Sequence, residues 1–309
     1  MSESVLVIGS IVVDLPMILP RHPLTGETLK VSSPGMNLGG KAVNQGLQSQ
    51  LCGANVQLVG KIGRDSFGEW VLAELTHYGL RTDSISRSNS AATSCAVPII
   101  EPGNQYILHV PGANADLTEQ DVVQSVVRNT SRILLLQGEI PPSSSLAAAR
   151  LIHQRGGIVI CDPAPTTGMS PELLSEADIL TPNSQELMML TGVDNDVMAS
   201  IDLVWKRYPN LQAIIVTQGE HGVLLQERDV VARSIPAPQV YAVDPTAAGD
   251  AFNGAFATAL LNGHSLESAC EIGCCAGALA ATKIGAAQSL ASGSEIMSLW
   301  KTVYYHSAG

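Results

Sequence analysis

The chain has 309 residues, of which 45% are apolar and 15% are charged. This length is sufficient for one large domain with a sizeable core. Its 17 basic and 28 acidic residues give a net charge of −11, and only 4% of its residues are aromatic. This composition argues against nucleic-acid binding, which needs basic grooves and stacking rings. A small nucleotide remains compatible, because backbone N–H groups can hold a phosphate locally.

The sequence shows no signal for a membrane or for export. No apolar run reaches the roughly 18 residues of a membrane span. The start, 1–4, lacks the basic and apolar stretches of a signal peptide. We therefore expect a cytoplasmic protein with no membrane partner, whose six cysteines are reduced thiols.

Short apolar runs alternate with helical segments along the chain. The runs are Val5–Ile8, Ile133–Leu136, Ile158–Cys161 and Ile214–Val216, and helical stretches between them include Leu146–His153 and Glu186–Leu190. Runs that are apolar throughout are typical of strands buried on both faces, and their alternation with helices predicts a parallel sheet covered by helices. No long linker interrupts the pattern, so we predict a single domain over 1–309.

Two segments depart from this alternation. The stretch 15–34 carries four prolines, while Thr93–Ile100 and Gln105–Val110 resemble strands joined by a turn at 101–104. We interpret the segments of about 12–36 and 93–111 as a small β-sheet lid over the mouth of the core. A surface elaboration is the simpler alternative, but both segments flank the strongest polar motif of the N-terminal half.

That polar motif is Gly39-Gly40-Lys41-Ala42-Val43-Asn44. It is not a P-loop, because Ala42 stands where a Ser or Thr must hold magnesium. Two glycines at a helix start let a ligand approach the backbone. Lys41 and Asn44, three residues apart on one helix face, could then bind the hydroxyls of a polyol. By itself the motif is more typical of a tight turn followed by a solvated helix face.

The second motif, Asp244-Pro245-Thr246-Ala247-Ala248-Gly249-Asp250, precedes a helix with Phe252, Phe256 and Leu260 as its buried stripe. Asp250 lies about 200° from Phe252, off that stripe. Small residues at 247–249 leave backbone N–H groups accessible at the positive helix end, which favours an anion site. A carboxylate beside such a site is suited to act as a general base. The alternative is an Asp that only complements the helix dipole.

With these motifs the sequence resembles the ribokinase-like (PfkB) carbohydrate kinases. The resemblance runs from Val5-Leu6-Val7-Ile8-Gly9-Ser10 to Lys283-Ile284-Gly285-Ala286, and both family signatures are present, in 39–63 and 244–257. It implies a doubly wound α/β fold with a small lid. It also implies that Asp250 is the catalytic base and that Ala247, Ala248 and Gly249 form an anion hole.

The resemblance further implies the binding residues. The sugar hydroxyls would be held by Asp14, Gly40, Lys41, Asn44 and Glu139. ATP would be bound by Asn183 and by Thr217, Gly219 and Gly222 of the loop 217–222. Asn183 and Glu186 would organise the water shell of Mg²⁺, although the pair is equally typical of a helix capping box. A monovalent cation, K⁺, would be held by backbone carbonyls of Asp244, Thr246, Ala280, Lys283 and Gly285 with the Ser289 hydroxyl.

One position departs from the pattern of ribokinases, which have Gly-Ser-Ile-Asn-x-Asp after the first strand. This chain has Gly9-Ser10-Ile11-Val12-Val13-Asp14. Val12 can neither donate nor accept a hydrogen bond, so one polyol contact is absent. An unpaired buried hydroxyl costs on the order of 1–3 kcal/mol. A deoxygenated or differently substituted sugar is therefore expected to fit better than D-ribose.

The sequence as a whole predicts an ATP-dependent kinase that phosphorylates a primary hydroxyl of a small sugar, ribose or a related pentose or ketose. A nucleoside kinase of the same fold is the nearest alternative, although three Phe, three Trp and six Tyr offer few rings to stack a base. Kinases of hexoses are a further alternative. An alternative from another functional class is a sugar-binding regulator that catalyses no reaction, but such a protein would not need Asp250. The resemblance also makes a homodimer through the lid plausible.

Overall fold

The computed structural model describes residues 4–127 and 130–305. This description does not include residues 1–3 or 306–309. Residues 1–3 belong to the segment whose sequence predicts no signal peptide. The strands are β1 (Ser4–Ile8), β2 (Val12–Asp14), β3 (Met17–Ile18), β4 (Asn37–Gly39), β5 (Asn55–Ile62), β6 (Ile85–Arg87), β7 (Cys95–Glu101), β8 (Asn104–Val110), β9 (Ile133–Leu136), β10 (Ile158–Cys161), β11 (Ile179–Leu180), β12 (Ala213–Thr217), β13 (Val223–Glu227) and β14 (Arg233–Ile235). The helices are α1 (Lys41–Leu51), α2 (Ser66–His77), α3 (Glu119–Val127), α4 (Pro142–His153), α5 (Pro171–Leu174), α6 (Ser184–Thr191), α7 (Val197–Arg207), α8 (Ala248–Leu261), α9 (Leu266–Ala281) and α10 (Gly293–Trp300).

The main sheet has nine strands in the order β14-β13-β12-β11-β10-β9-β1-β5-β6. Its pairs are parallel from β12 to β6, and the β12–β13 and β13–β14 pairs are antiparallel. The chain leaves β1 for β5 on one side and later returns to β9 on the other. This reversal defines a doubly wound sheet whose switch point lies between β1 and β9. The predicted α/β fold is confirmed, and all four predicted strands are present.

Apolar side chains fill both faces of this sheet. In β1 all five residues are buried. Alternate residues of a strand point to opposite faces, so Val5 and Val7 pack with residues of α1, α8 and α9. Leu6 and Ile8 pack on the other face with residues of α3, α4 and α7. The uninterrupted apolar run of β1 is therefore explained by helices on both sides of the sheet.

A second, smaller sheet contains β3, β7, β2 and β4 in that order, and β8 pairs with β7. The β7–β8 hairpin has an antiparallel register from Cys95↔Val110 to Glu101↔Asn104. Its turn includes Gly103 with φ 82, a conformation that glycine adopts without strain. The small second sheet and the hairpin predicted at 101–104 are confirmed. Its function as a lid stays a prediction.

Within the described residues, the helices are all too short or too polar to span a bilayer.

A histidine bridges two carboxylates at the amino edge of the parallel strands. His153, the last residue of α4, contacts Glu176 with Nδ1 at 3.0 Å and Asp178 with Nε2 at 2.9 Å. Arg150 also donates to Glu176 at 3.2 Å, and Asp178 accepts the Val159 N–H at 2.8 Å. Both ring nitrogens donate only in the imidazolium form. Burial acts to lower the pKa of His153, but hydrogen bonds to Asp178 and Glu176 raise it above its usual value.

This geometry predicts a pH-dependent contribution to stability. Because the folded pKa of His153 is raised, its contribution is complete below the unfolded pKa of about 6.5 and is lost as pH rises through the folded value. His153→Gln should lower the free energy of unfolding by about 1–2 kcal/mol at pH 6 and by less at pH 9. Urea unfolding at the two pH values measures this. His221, which is largely exposed, provides the control His221→Gln; equal losses at both pH values for His153→Gln would contradict the prediction.

Candidate active site

The predicted site residues follow the carboxyl ends of the parallel strands. Glu139 follows β9 by three residues, Asn183 follows β11, and Thr217 ends β12. The carboxyl ends of parallel strands open on one edge of the sheet, and ligands bind there next to the switch point of such folds. Helices α1 and α8 begin at this edge and bring their first residues into the same region.

The Asp250 carboxylate is held by two amide side chains of α1. Its Oδ2 accepts a hydrogen bond from Asn44 Nδ2 at 2.9 Å, and its Oδ1 accepts one from Gln45 Nε2 at 3.0 Å. Lys41 Nζ lies 4.0 Å from the same Oδ1. Asp250 is 6% exposed, so this carboxyl group lies in a mostly desolvated place and has hydrogen-bond partners on both oxygens. The two sequence motifs thus meet at Asp250.

Lys41 is the cationic centre of the site. Burial acts to lower its pKa, but the carboxylates of Asp250, Asp162, Glu139 and Glu186 together raise it well above its usual value. Opposite charges favour the ionised form of a group in this way. The ammonium therefore stays protonated at physiological pH and is a donor, not a base. An excess of carboxylates over cations remains around it.

A second group of contacts surrounds Glu139. The Ser10 hydroxyl donates to Glu139 Oε2 and accepts the Lys41 N–H at 3.0 Å. Burial, and then the negative charge of Glu139, raise the pKa of Asp14 to about 7. The carboxyl of Asp14 packs on Gly39, where a Cβ would lie 2.2 Å from Asp14 Oδ2. Asp14 and Glu139 therefore form an acidic wall beside Gly39 and the start of α1.

Gly40 lies between the residues around Asp250 and the residues around Glu139. Its φ is 95°, a left-handed value that favours glycine. A Cβ at this position would also lie 2.6 Å from the Ser10 carbonyl oxygen. Any larger residue would push the start of α1 away from Ser10, and this explains the glycine in physical terms.

Helix α8 starts with a left-handed residue, Ala247, with φ 60. The N–H of Ala248 is occupied, because it donates to the Pro245 carbonyl at 3.1 Å. Among the described residues no acceptor binds the N–H of Gly249 or of Asp250. Free N–H groups at a helix start attract anions. Of the residues 247–249 predicted to form an anion site, only Ala248 has its N–H occupied; among the described residues the N–H groups of Ala247 and Gly249, like that of Asp250, have no acceptor.

A cleft of about 260 Å³ opens beside this helix start. Thr217, Gly219 and Gly222 lie on one side, and Gly249 and Phe252 of α8 lie on the other. Its remaining lining is dominated by small apolar residues of 237–242 and α9, which suits a flat heterocycle. A larger hollow of about 520 Å³ lies at the amino ends of β1 and β5, and none of the candidate site residues lines it.

Asn183 and Glu186 form the capping box that the sequence allowed. Asn183 Oδ1 accepts the Glu186 N–H and Glu186 Oε2 accepts the Asn183 N–H, both at 2.8 Å. The pair still faces the site, since Glu186 contributes to the raised pKa of Lys41. A backbone bridge also joins Asn183 to Thr217. The capping box therefore does not exclude that Asn183 and Glu186 bind a ligand or an ion beside the cleft, because the oxygens of both side chains keep free lone pairs.

The residues predicted to hold a monovalent cation lie at 244–246 and at 280–289, a segment that begins in the last turn of α9, and Asp244 joins the two. Its Oδ1 accepts the Thr246 N–H and its Oδ2 accepts the Gly285 N–H, both at 2.9 Å. Burial acts to raise the pKa of Asp244, but these hydrogen bonds lower it below its usual value. Ala280 O accepts the Lys283 N–H, and the Ser289 hydroxyl donates to Ala286 O at 2.8 Å.

Most of the predicted cation-binding carbonyls are free of protein hydrogen bonds. No described residue donates to the carbonyls of Asp244, Thr246, Lys283 and Gly285. Unoccupied carbonyl oxygens suit a hard cation. Four of the six predicted donors are therefore available.

Three polar residues of the site were not singled out from the sequence. Gln45 donates to Asp162 Oδ2 at 2.8 Å as well as to Asp250. Its Oε1 accepts a hydrogen bond from Gln137 Nε2 at 2.7 Å. Burial raises the pKa of Asp162 to about 7, and the negative charges of Asp250 and Glu186 act in the same direction. Gln137 and Asp162 each follow a predicted strand directly, and that position was the available signal.

The chain is similar to known carbohydrate kinases over nearly its whole length. A family profile described as "pfkB family carbohydrate kinase" matches residues 2–292. The ribokinase of Haemophilus influenzae is 34% identical over 301 residues, covering 96% of this chain and 98% of that protein. The Thermotoga maritima ribokinase structure superposes with TM-score 0.85 and 32% identity, covering 97% of this chain and 99% of that chain. An Arabidopsis thaliana ribokinase, solved with ribose and ATP, has TM-score 0.87 and 29% identity over 97% of this chain and 99% of that chain.

Because the pKa of Asp14 is raised, we predict that the ionised carboxylate lowers the stability of the folded protein. A carboxyl whose folded pKa is raised binds its proton more tightly in the folded state, so the free energy of unfolding falls as pH rises from about 4 to about 7. Asp14→Asn should therefore raise the free energy of unfolding by about 1–3 kcal/mol at pH 8 and leave it nearly unchanged at pH 4.

Chemical unfolding at both pH values measures this effect. Asp83→Asn is the control, since the Arg81 hydrogen bond lowers the pKa of Asp83 and its loss should not stabilise the fold. If Asp14→Asn destabilises the protein at pH 8, the desolvation argument is wrong.

Proposed function

Because the chain belongs to the pfkB family of carbohydrate kinases, and is a phosphotransferase acting on an alcohol group, we propose its specific reaction. It transfers the γ-phosphoryl of ATP to a primary hydroxyl of a small sugar, ribose or a related pentose or ketose. One observation carries the proposal: a buried carboxylate, Asp250, stands beside unoccupied N–H groups at the start of α8. A base next to an anion site is the arrangement that phosphoryl transfer to an alcohol requires.

In the proposed step Asp250 accepts the proton of the attacking hydroxyl. The new O–P bond forms as the bond from the γ-phosphorus to the β,γ-bridging oxygen breaks, and ADP leaves. The N–H groups of Gly249 and Asp250 stabilise the charge that develops on the transferred phosphoryl. Lys41, protonated and 4.0 Å from Asp250, adds positive charge on the same side. Asn44 and Gln45 hold the base in place while it does this.

The sugar site is proposed between Asp250 and the acidic wall. Asn44 Oδ1 is buried and has no hydrogen-bond partner among the described residues. A buried amide oxygen without a donor is costly, and a sugar hydroxyl would supply one. Asp14 and Glu139 offer further acceptors, and Gly40 leaves room for a ligand near the backbone. Val12, 3% exposed, adds an apolar contact next to Gly40.

ATP is proposed to occupy the cleft between the 217–222 loop and α8. The cleft reaches Gly249, next to Asp250, so we propose that a nucleotide in the cleft directs its terminal phosphate toward Asp250. The ATP bound by the Arabidopsis thaliana relative supports the same co-substrate for this chain. Glu186 and Asn183 supply hard oxygen donors that suit the water shell of Mg²⁺, and the ion would neutralise phosphate charge when bound. The carbonyls of Asp244, Thr246, Lys283 and Gly285 suit K⁺.

The small sheet is proposed to close over the sugar and to pair two copies of the chain. Strand β8 lies at its edge and exposes Ile107, Leu108 and Val110 by 63%, 58% and 56%. An exposed apolar edge strand is a ready surface for pairing with another strand. Closure would exclude water from the phosphoryl group and so suppress hydrolysis of ATP.

The test of the reaction is ADP release from Mg-ATP and K⁺ across pentoses, deoxypentoses, ketohexoses and nucleosides. Asp250→Asn should retain ATP binding, measured by calorimetry, and lose sugar-dependent ADP release by at least about 100-fold because the base is absent. Near-normal turnover of this variant would remove Asp250 from the mechanism. A response only to nucleosides would make the protein a nucleoside kinase, and silence with ATP bound would favour a regulator.

Val12 makes a separate prediction about specificity. Val12→Asn restores a polar group beside the sugar site, so kcat/KM for D-ribose should rise by about 5- to 100-fold relative to 2-deoxyribose, as expected for a recovered hydrogen bond. Steady-state kinetics on both sugars measures the ratio. Val12→Leu has nearly the size and shape of asparagine without its hydrogen-bonding groups and is the matched control. An unchanged ratio in Val12→Asn would refute the role of Val12 in specificity.

A further inference from the structure

Gln45 is a fully buried glutamine between two carboxylates. It is 0% exposed, and its Nε2 donates to Asp162 Oδ2 at 2.8 Å and to Asp250 Oδ1 at 3.0 Å. An amide nitrogen has two hydrogens, so both of its donors are used. Its Oε1 accepts the hydrogen bond of Gln137 Nε2 at 2.7 Å. The amide is therefore anchored at both ends as well as bonded to the base.

These contacts leave only one orientation for the amide. If the Gln45 amide turned by 180°, its oxygen would face two carboxylates and its nitrogen would face the Gln137 nitrogen. Every one of the three hydrogen bonds would be lost, and each unpaired buried group is costly. Gln137 and Asp162 thus determine that Gln45 presents an N–H, and not an oxygen, to Asp250.

The anchored N–H has a direct effect on the base. Asn44 holds one oxygen of Asp250 and Gln45 holds the other, which defines both the position and the plane of the carboxylate. Asn44 alone would leave the carboxylate able to turn about its Cβ–Cγ bond. A misplacement of about 1 Å is sufficient to cost 10²-fold in rate.

We propose that Gln45 is a positioning residue for phosphoryl transfer, which holds the plane of the Asp250 carboxylate and is itself anchored by Asp162 and Gln137. This inference rests on the proposed role of Asp250 as base. It assigns to the buried amide of α1 a part in turnover, distinct from substrate binding, since Gln45 contacts the base and no open surface.

The first test replaces Gln45 with leucine, which fills a similar volume without hydrogen bonds. Gln45→Leu should lower kcat by about 10- to 100-fold, while KM for sugar and for ATP changes less than about threefold. Gln48→Leu is the matched control: Gln48 is also 0% exposed on α1 and donates to the Ala291 carbonyl at 2.9 Å. Rates are expressed per ATP-binding site, measured by calorimetry, so that misfolded protein does not count.

The second test separates the hydrogen bond of Asp162 from its charge. Asp162→Asn keeps an oxygen that accepts from Gln45, so kcat should stay within about fivefold of the parent. Asp162→Leu removes the acceptor and should lower kcat about as much as Gln45→Leu. Equal losses in Asn and Leu variants would overturn the anchoring role of Asp162.

The outcomes distinguish this inference from the proposed reaction. If the parent protein releases ADP with a sugar and Asp250→Asn does not, the reaction stands. If Gln45→Leu then retains kcat as Gln48→Leu does, the positioning role of Gln45 is wrong. If Gln45→Leu raises KM for the sugar with kcat unchanged, Gln45 belongs to substrate binding instead. Absence of sugar-dependent ADP release in the parent would refute the reaction itself.

Discussion

Helices α1 and α8 approach so closely that a Cβ on Gly254 would lie 2.5 Å from the Gln45 carbonyl oxygen. Ser49 Oγ donates to the Gly254 carbonyl at 3.0 Å across this contact. The proximity of the two backbones lets the short side chain of Asn44 reach Asp250 at 2.9 Å. The site therefore depends on a contact between helices that begin about two hundred residues apart in the chain.

The electrostatics of the site follow from the same proximity. Four carboxylates raise the pKa of the one lysine, Lys41, and burial raises the pKa of Asp14 and of Asp162 to about 7. Negative charge in excess of its partners disfavours the empty folded protein. Sugar hydroxyls and cations that occupy the site would offset this cost. The carboxylates proposed to bind ligands are therefore the same groups that lower the stability of the empty protein. Such a conflict is common at functional sites.

Much of the fold and part of the site could be predicted. Continuous apolar runs indicated the buried strands, and the turn at 101–104 indicated the hairpin, because these signals are local in the chain. The resemblance implied that Asn44 and Asp250 serve one site, but the hydrogen bond between their side chains was not predicted. Gln45 was missed because an amide beside a motif has no periodic signal of its own. Gln137 and Asp162 were missed although each directly follows a predicted strand. Which of the helix-start N–H groups is occupied also depends on the local turn at Pro245 and could not be derived from residue types.

The sequence by itself determined the α/β class, the family, and the residue types available for chemistry, because apolar patterning and short motifs act over a few positions. Only the tertiary structure decided how those residues combine. The Gln45 amide meets partners 117 and 205 positions away in Asp162 and Asp250, and Gln137 lies 92 positions away. Hydrogen bonds act over about 3 Å, so their partners are defined by the packing of strands and helices and not by separation along the chain.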